Sequence, residues 1–103
     1  MKSRDCCLTL SFPSSLEDNI LDHLLEHPEW AEGFSTTRIE GHGRAGIAHA
    51  AAELVRGRAA RLQAQIVLNR EDAHALVAHL SAALPNREIA YWVTPVMEFG
   101  RFG

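Results

Sequence analysis

Three sets of residues in this 103-residue chain have types and spacings that could do chemistry. The first is the run Gly41-His42-Gly43-Arg44-Ala45-Gly46 with the segment that follows it to Arg58. It carries His42 and His49, seven residues apart. If the segment folds back, two imidazoles could converge on a zinc, copper or nickel ion, metals that imidazole nitrogen suits; the alternative is two solvated histidines. The second set is Arg38, Arg56, Arg58 and Arg61, which flank the two ends of that segment. They read either as a basic rim for an anion held between subunits or as a solvated cluster balanced by Glu40 and Glu53. The third set consists of pairs. His23 and His27 stand at i, i+4, the spacing of a two-point metal clip on a helix, but no third ligand is fixed beside them and they read as surface residues. His74 and His79 do not pair with each other. Cys6 and Cys7 could bind a soft metal, yet adjacent positions on a strand face opposite ways, so Cys6 is expected in the core and Cys7 on the other face.

The elements that must position these groups are legible from periodicity. Cys6 to Phe12 alternates, with Cys6, Leu8, Leu10 and Phe12 on one side, as in a half-buried strand. After Pro13, Ser14 with Glu17 three residues on predicts a capping box. Leu16, Ile20, Leu21, Leu24 and Leu25 then form a helical apolar stripe that ends at His27-Pro28. Trp30 is placed where it seals the helix end against the sheet. Phe34 to Glu40 is a second strand. Residues 41–58 form a long loop, too polar and too glycine-rich for core, with a short helix expected around Ala48 to Val55 from its helix-forming composition. Arg58 to Leu68 is a third strand, with Leu62, Ala64, Ile66 and Leu68 on one side and Arg61, Gln63, Gln65 and Val67 on the other. Asn69 with Asp72 caps a second helix, whose buried stripe is Ala73, Leu76, Val77, Leu80 and Leu84. Glu88 to Met97 is the last strand, and Pro95 places its end at a sheet edge or a bend. The order β-α-β-loop-β-α-β predicts an α+β, ferredoxin-like βαββαβ fold: a four-stranded antiparallel sheet with two helices on one face and a long loop between strands 2 and 3.

Size and composition bound the function. The length implies one domain, spanning 1–103. Apolar residues are 47% and charged residues 22% of the chain, ordinary for a globular protein. A net charge of −3 argues against a general nucleic-acid surface. No apolar run approaches the roughly 20 residues of a membrane span, and the start shows no signal peptide. Two adjacent cysteines are poorly placed to bridge and read as free thiols of a reducing compartment, which points to the cytoplasm.

At the long loop the residues resemble a known family. Gly41-His42-Gly43-Arg44, followed by Val55-Arg56-Gly57, is similar to the ends of the T-loop in PII signalling proteins, where a Gly-x-Gly-Arg run opens the loop and an Arg-Gly run closes it before the third strand. The element order from Cys6 to Met97 fits as well. The Trp92-Val93-Thr94-Pro95-Val96 ending resembles a small PII-like branch often encoded near heavy-metal efflux systems. The resemblance implies a homotrimer with ligand in clefts between subunits and the loop as reporter. It assigns Gly41, Gly43 and Arg44 to an anion such as a nucleotide phosphate. That is chemically sensible, because glycines let backbone N–H groups approach an anion and a guanidinium grips phosphate with two bonds. Arg56 and Arg58 would stand at the loop's return. One departure matters: PII proteins carry a second phosphate loop, rich in glycine and containing lysine, before the last strand. Here that position reads Leu84-Pro85-Asn86-Arg87-Glu88-Ile89, with Arg87 as its only cation. The ligand is thus left open between an adenine nucleotide, a smaller anion and a divalent metal ion.

No catalytic constellation is present, so a non-enzymatic sensor is the leading expectation, with loop 41–58 meeting a partner such as a membrane transporter or efflux component. A metal-binding protein of CutA-like architecture, using His42 and His49 and serving metal tolerance, is the second. A small phosphohydrolase resembling acylphosphatases is the third. No membrane insertion is expected of any of them.

Overall fold

The structure is a computed structural model, and it describes residues 2–42 and 59–103. Within these residues four strands and two helices follow in the expected order. Strand β1 is Cys6–Pro13, β2 is Ser35–Gly41, β3 is Ala59–Leu68 and β4 is Ala90–Pro95; helix α1 is Glu17–Glu26 and α2 is Arg70–Ala83. The strands form one antiparallel sheet in the order β2-β3-β1-β4. The third strand starts at Ala59, one residue inside the expected limit, and the last runs from Ala90 to Pro95, two residues inside the expected limit at each end. Pro95 does fall at the end of an edge strand, where its missing N–H costs no ladder bond.

The alternation read from β1 decides which face is covered. Leu8, Leu10 and Phe12 are fully or nearly fully buried with Leu62, Ala64 and Ile66 of β3, beneath Ile20 and Leu24 of α1 and Ala73, Leu76 and Leu80 of α2. Both helices therefore lie on one side of the sheet. Asn69 caps α2 as expected: its Oδ1 accepts from the Asp72 N–H at 2.8 Å, and its Nδ2 donates to Asp72 Oδ2 at 2.9 Å.

Two local expectations fail for physical reasons. Ser14–Leu16 winds as a 3-10 turn, so α1 begins with Leu16 at its cap and no side-chain capping bond. Glu17, freed from the capping box, instead accepts from Arg38 Nη2 at 3.4 Å and ties the helix to β2. Leu25 is 67% exposed, because the buried face of α1 is centred on Ile20 and Leu24 and flanked by Leu16 and Leu21, and Leu25, one residue round from Leu24, turns off it. No helix among the described residues is long and apolar enough to cross a membrane.

Candidate functional site

Among the described residues nothing covers the sheet face away from the helices, and the end of that face near Gly41 and Ala59 is organised by one arginine. Pairing sets Arg61 opposite Ile39 on β2 and opposite Pro13 on β1, which turns its side chain to the open face. Arg61 nonetheless lies flat and is only 7% exposed. Its Nε and Nη2 each donate to Ser11 Oγ at 3.3 Å, and Nη2 also donates to the Glu88 carbonyl at 2.8 Å. Burial lowers its pKa, with the charge of Glu88 opposing the shift; an arginine starts so high that it stays a cation. Glu88 belongs to a turn fixed by Asn86, whose Oδ1 accepts from the Glu88 N–H at 2.9 Å and whose carbonyl accepts from the Ile89 N–H at 3.0 Å. A permanent positive charge is thus pinned where the chain leaves the sheet at Gly41 and rejoins it at Ala59.

Gly41 serves this arrangement through its lack of a side chain. No positive φ is recorded there. A Cβ at Gly41 would overlap Arg61 Cδ and lie 3.2 Å from Cγ, so glycine leaves room for the arginine stem. His42, the next residue, is exposed. Gly43, Arg44, His49, Arg56 and Arg58 lie outside the described residues, as does the helix expected around Ala48 to Val55. Of the four arginines read as a basic rim or a solvated cluster, the two described ones face opposite sides of the sheet. Arg38 pairs in register with Leu62 and faces the helix layer, while Arg61 faces the open side. Strand parity separates them. Arg87 is exposed in the turn before β4, and it is Arg61 that holds this turn. Parity alone gave the direction of Arg61; its fixing by Ser11 needed the pairing of β1 with β3.

The remaining open face is mixed. Thr9 is buried between its register partners Gln65 and Trp92, and Trp92 itself is 42% exposed. Tyr91 and Val93 are also exposed, on the other face of the edge strand. Cys6 and Cys7 split as expected. Cys6 is buried with its thiol donating to the Leu68 carbonyl at 3.4 Å, and Cys7 is half-buried on the open side. Burial, and then Asp5, push the Cys6 thiol pKa up.

A second cluster forms on the helix layer, where His23 and His27, read from the sequence as surface residues, are half-buried. His23 and His27 of α1 meet His79 of α2: His79 Nε2 lies 3.3 Å from His23 Nδ1, and the His27 and His79 ring centroids are 4.2 Å apart. His27 stacks on Trp30, centroids 4.9 Å apart, and its Nδ1 lies 3.0 Å from Glu29 Oε2. That contact holds the Glu29 carboxyl below its ordinary range. Trp30 packs on the core as well as on His27. His79 joins only through helix packing, which no spacing within one helix reveals. Among the described residues no three histidine, cysteine or acidic side chains are already grouped to hold a metal ion.

With this geometry in place, comparison with known proteins gives the family. The family model described as "Protein of unknown function (DUF3240)" matches residues 2–103. No curated protein sequence matches the chain. Among solved structures, a DUF3240 family protein from Shewanella baltica OS155 is similar at 24% identity and a TM-score of 0.76, over 98% of this chain and 99% of that one. CPII from Thiomonas intermedia K12, a nitrogen regulatory PII-like protein bound to ADP, AMP and bicarbonate, is similar at 13% identity and a TM-score of 0.70, over 94% and 93%. CutA from Synechococcus elongatus PCC7942, complexed with a Bis-Tris molecule, is similar at 21% identity and 0.68, over 94% and 85%. The four-stranded antiparallel sheet with its two helices is thus a fold shared with PII-like and CutA proteins, and the chain belongs to the DUF3240 family.

Proposed function

We propose that this protein is a non-enzymatic, PII-like sensor of the cytoplasm. It assembles as a homotrimer through the sheet face away from the helices, holds a small anionic ligand in the clefts between subunits, and reports occupancy through loop 41–58. The observation that carries this reading is Arg61, a cation fixed by Ser11 and the Glu88 carbonyl at the root of that loop. Among the described residues helices cover only one face of the sheet, and further copies of the chain are the economical way to cover the other. Anion chemistry follows from a fixed guanidinium beside Gly41, with the backbone of Gly43 and the side chain of Arg44 completing the cradle and Arg56, Arg58 and Arg87 at its margin. An adenine nucleotide is the first ligand class to try, since the PII-like relative CPII is described as bound to ADP and AMP, and bicarbonate shows that a smaller anion suits such a protein too. Ligand would order or release the loop, a disorder-to-order switch read by a partner. An efflux or other membrane transporter is the partner proposed, on the family resemblance.

Isothermal calorimetry with ATP, ADP, AMP and bicarbonate tests the reading. Saturable binding of one of them, weakened about tenfold or more by Arg44→Ala, supports it. No binding of any of them to the assembled protein contradicts it.

A further inference from the structure

The helix layer lies opposite the face used above, and its histidine cluster takes no part in that reading. We propose that His23, His27 and His79 form a second site, which takes one borderline divalent transition-metal ion of the copper, nickel or zinc class. Three relationships point to it. First, His23 Nδ1 and His79 Nε2 are 3.3 Å apart. Two nitrogens bound to one ion at about 2.0–2.1 Å in tetrahedral geometry stand at about that separation. The same distance is satisfied without metal by one N–H donating to the other ring, so the ion would replace that shared proton and the two rings would turn until their lone pairs converge. Second, His27 sits one helical turn from His23, with its ring centroid 4.2 Å from that of His79. Its Nδ1 is engaged by Glu29 Oε2 at 3.0 Å, which leaves Nε2 as the donor. A carboxylate behind the far nitrogen of an imidazole fixes its tautomer and ring orientation, the usual outer support of a metal-bound histidine. Third, Trp30 backs the cluster, stacked on His27 and packed on the core, and both helices are anchored beneath by Ile20, Leu24, Leu76 and Leu80. The rings therefore have a firm base and are half-buried without being closed to solvent.

The three donors do not yet converge on one point. His23 and His79 hold the ion first, His27 closes on it, and water fills the fourth position. Imidazole-only coordination favours the upper end of the divalent series, copper above nickel and zinc, and disfavours magnesium and calcium.

The test is calorimetric titration of the untagged protein with copper(II), nickel(II) and zinc(II) salts in a non-chelating buffer, with magnesium as control. One ion per chain is expected. The paired variant His23→Asn/His79→Asn should lose binding, and Glu29→Gln should weaken it by about tenfold or more. Circular dichroism of each variant checks that the fold is kept, and the copper form should show imidazole nitrogen coupling in its electron paramagnetic resonance spectrum. Unchanged binding in the folded paired variant, or no binding of any of the three metals to the wild type, overturns the proposal. Loss of binding in His42→Ala with full binding in the paired variant also overturns it, by moving the ion to the loop. Nucleotide titrations are read separately, so this site and the anion cleft stand or fall independently.

Discussion

The stem of Arg61 occupies the space in which a side chain on Gly41 would begin. The two residues are on neighbouring strands, with Gly41 paired to Ala59 and Arg61 to Ile39. The glycine that ends β2 and the cation that faces the loop root therefore form one unit. Gly41→Ala should destabilise the chain by about 1–3 kcal/mol, the usual cost of forcing extra carbon into a filled space. Arg61→Ala alone should also destabilise, because Ser11 Oγ and the Glu88 carbonyl lose their donor, at about 1–3 kcal/mol. The double variant should cost less than the two singles together, with a coupling of about 0.5–3 kcal/mol. Urea unfolding of the four proteins measures this, and strict additivity would show that the two residues do not interact.

Asn69→Ala should cost about 1 kcal/mol, since it removes the acceptor of the Asp72 N–H at the start of α2. Ser14→Ala should stay within about 0.5 kcal/mol, because Ser14 lies in a 3-10 turn and makes no capping bond there. Thermal melts of the two variants side by side decide it; equal losses would restore the capping box expected from the sequence.

That contrast marks where the sequence could be read and where it could not. Alternation in Cys6–Pro13 and Ala59–Leu68, helical spacing from Ala73 to Leu80, and the Asn69 cap are local patterns, and each produced its element. The failures are tertiary. Ser14 and Glu17 fit the capping pattern, but Glu17 had a partner in Arg38 twenty-one residues away. Leu25 belongs to the apolar stripe, yet it stands at the edge of that stripe and the packing of α1 leaves it on the solvent side. Parity could say that Arg61 faces the open side; only strand pairing shows Ser11 beneath it. His79 carries no signal that places it against His23, because that contact depends on how two helices lie on the sheet.

Trp92→Glu should break the assembly while leaving the fold intact. Trp92 is partly exposed on the edge strand, on the uncovered face beside Thr9. A charge there would be desolvated in an interface and harmless in a lone chain. Light scattering with circular dichroism reads both effects. An assembly of unchanged mass would place the interface elsewhere.

The two thiols should differ in reactivity. Cys6 is 5% exposed, and burial raises its pKa, so its thiolate is scarce. Cys7 lies on the open face. In the Trp92→Glu background one thiol should react quickly with a disulfide reagent, and Cys7→Ser should remove that phase. In the wild-type assembly Cys7 should be protected. A fast phase that survives Cys7→Ser would place Cys6 at the surface.

The pH response near the histidine cluster has a definite sign. Glu29 has its pKa lowered from 4.5 by the hydrogen bond with His27. A lowered carboxyl contributes stability that is complete above its ordinary value and is lost as pH falls through the folded one. Wild type and Glu29→Gln should therefore converge in stability as the pH is taken below 4.5. A gap between them that widens on acidification would contradict the contact. The effect should be small, since the pair is at the surface.

The most direct test of the account as a whole is the mass of the native protein in dilute buffer, by light scattering coupled to size exclusion. The homotrimer proposed above predicts three times the 11.4 kDa of one chain. A mass of one chain at the same concentration would leave no cleft between subunits for Gly41 and Arg61 to serve, and would contradict it.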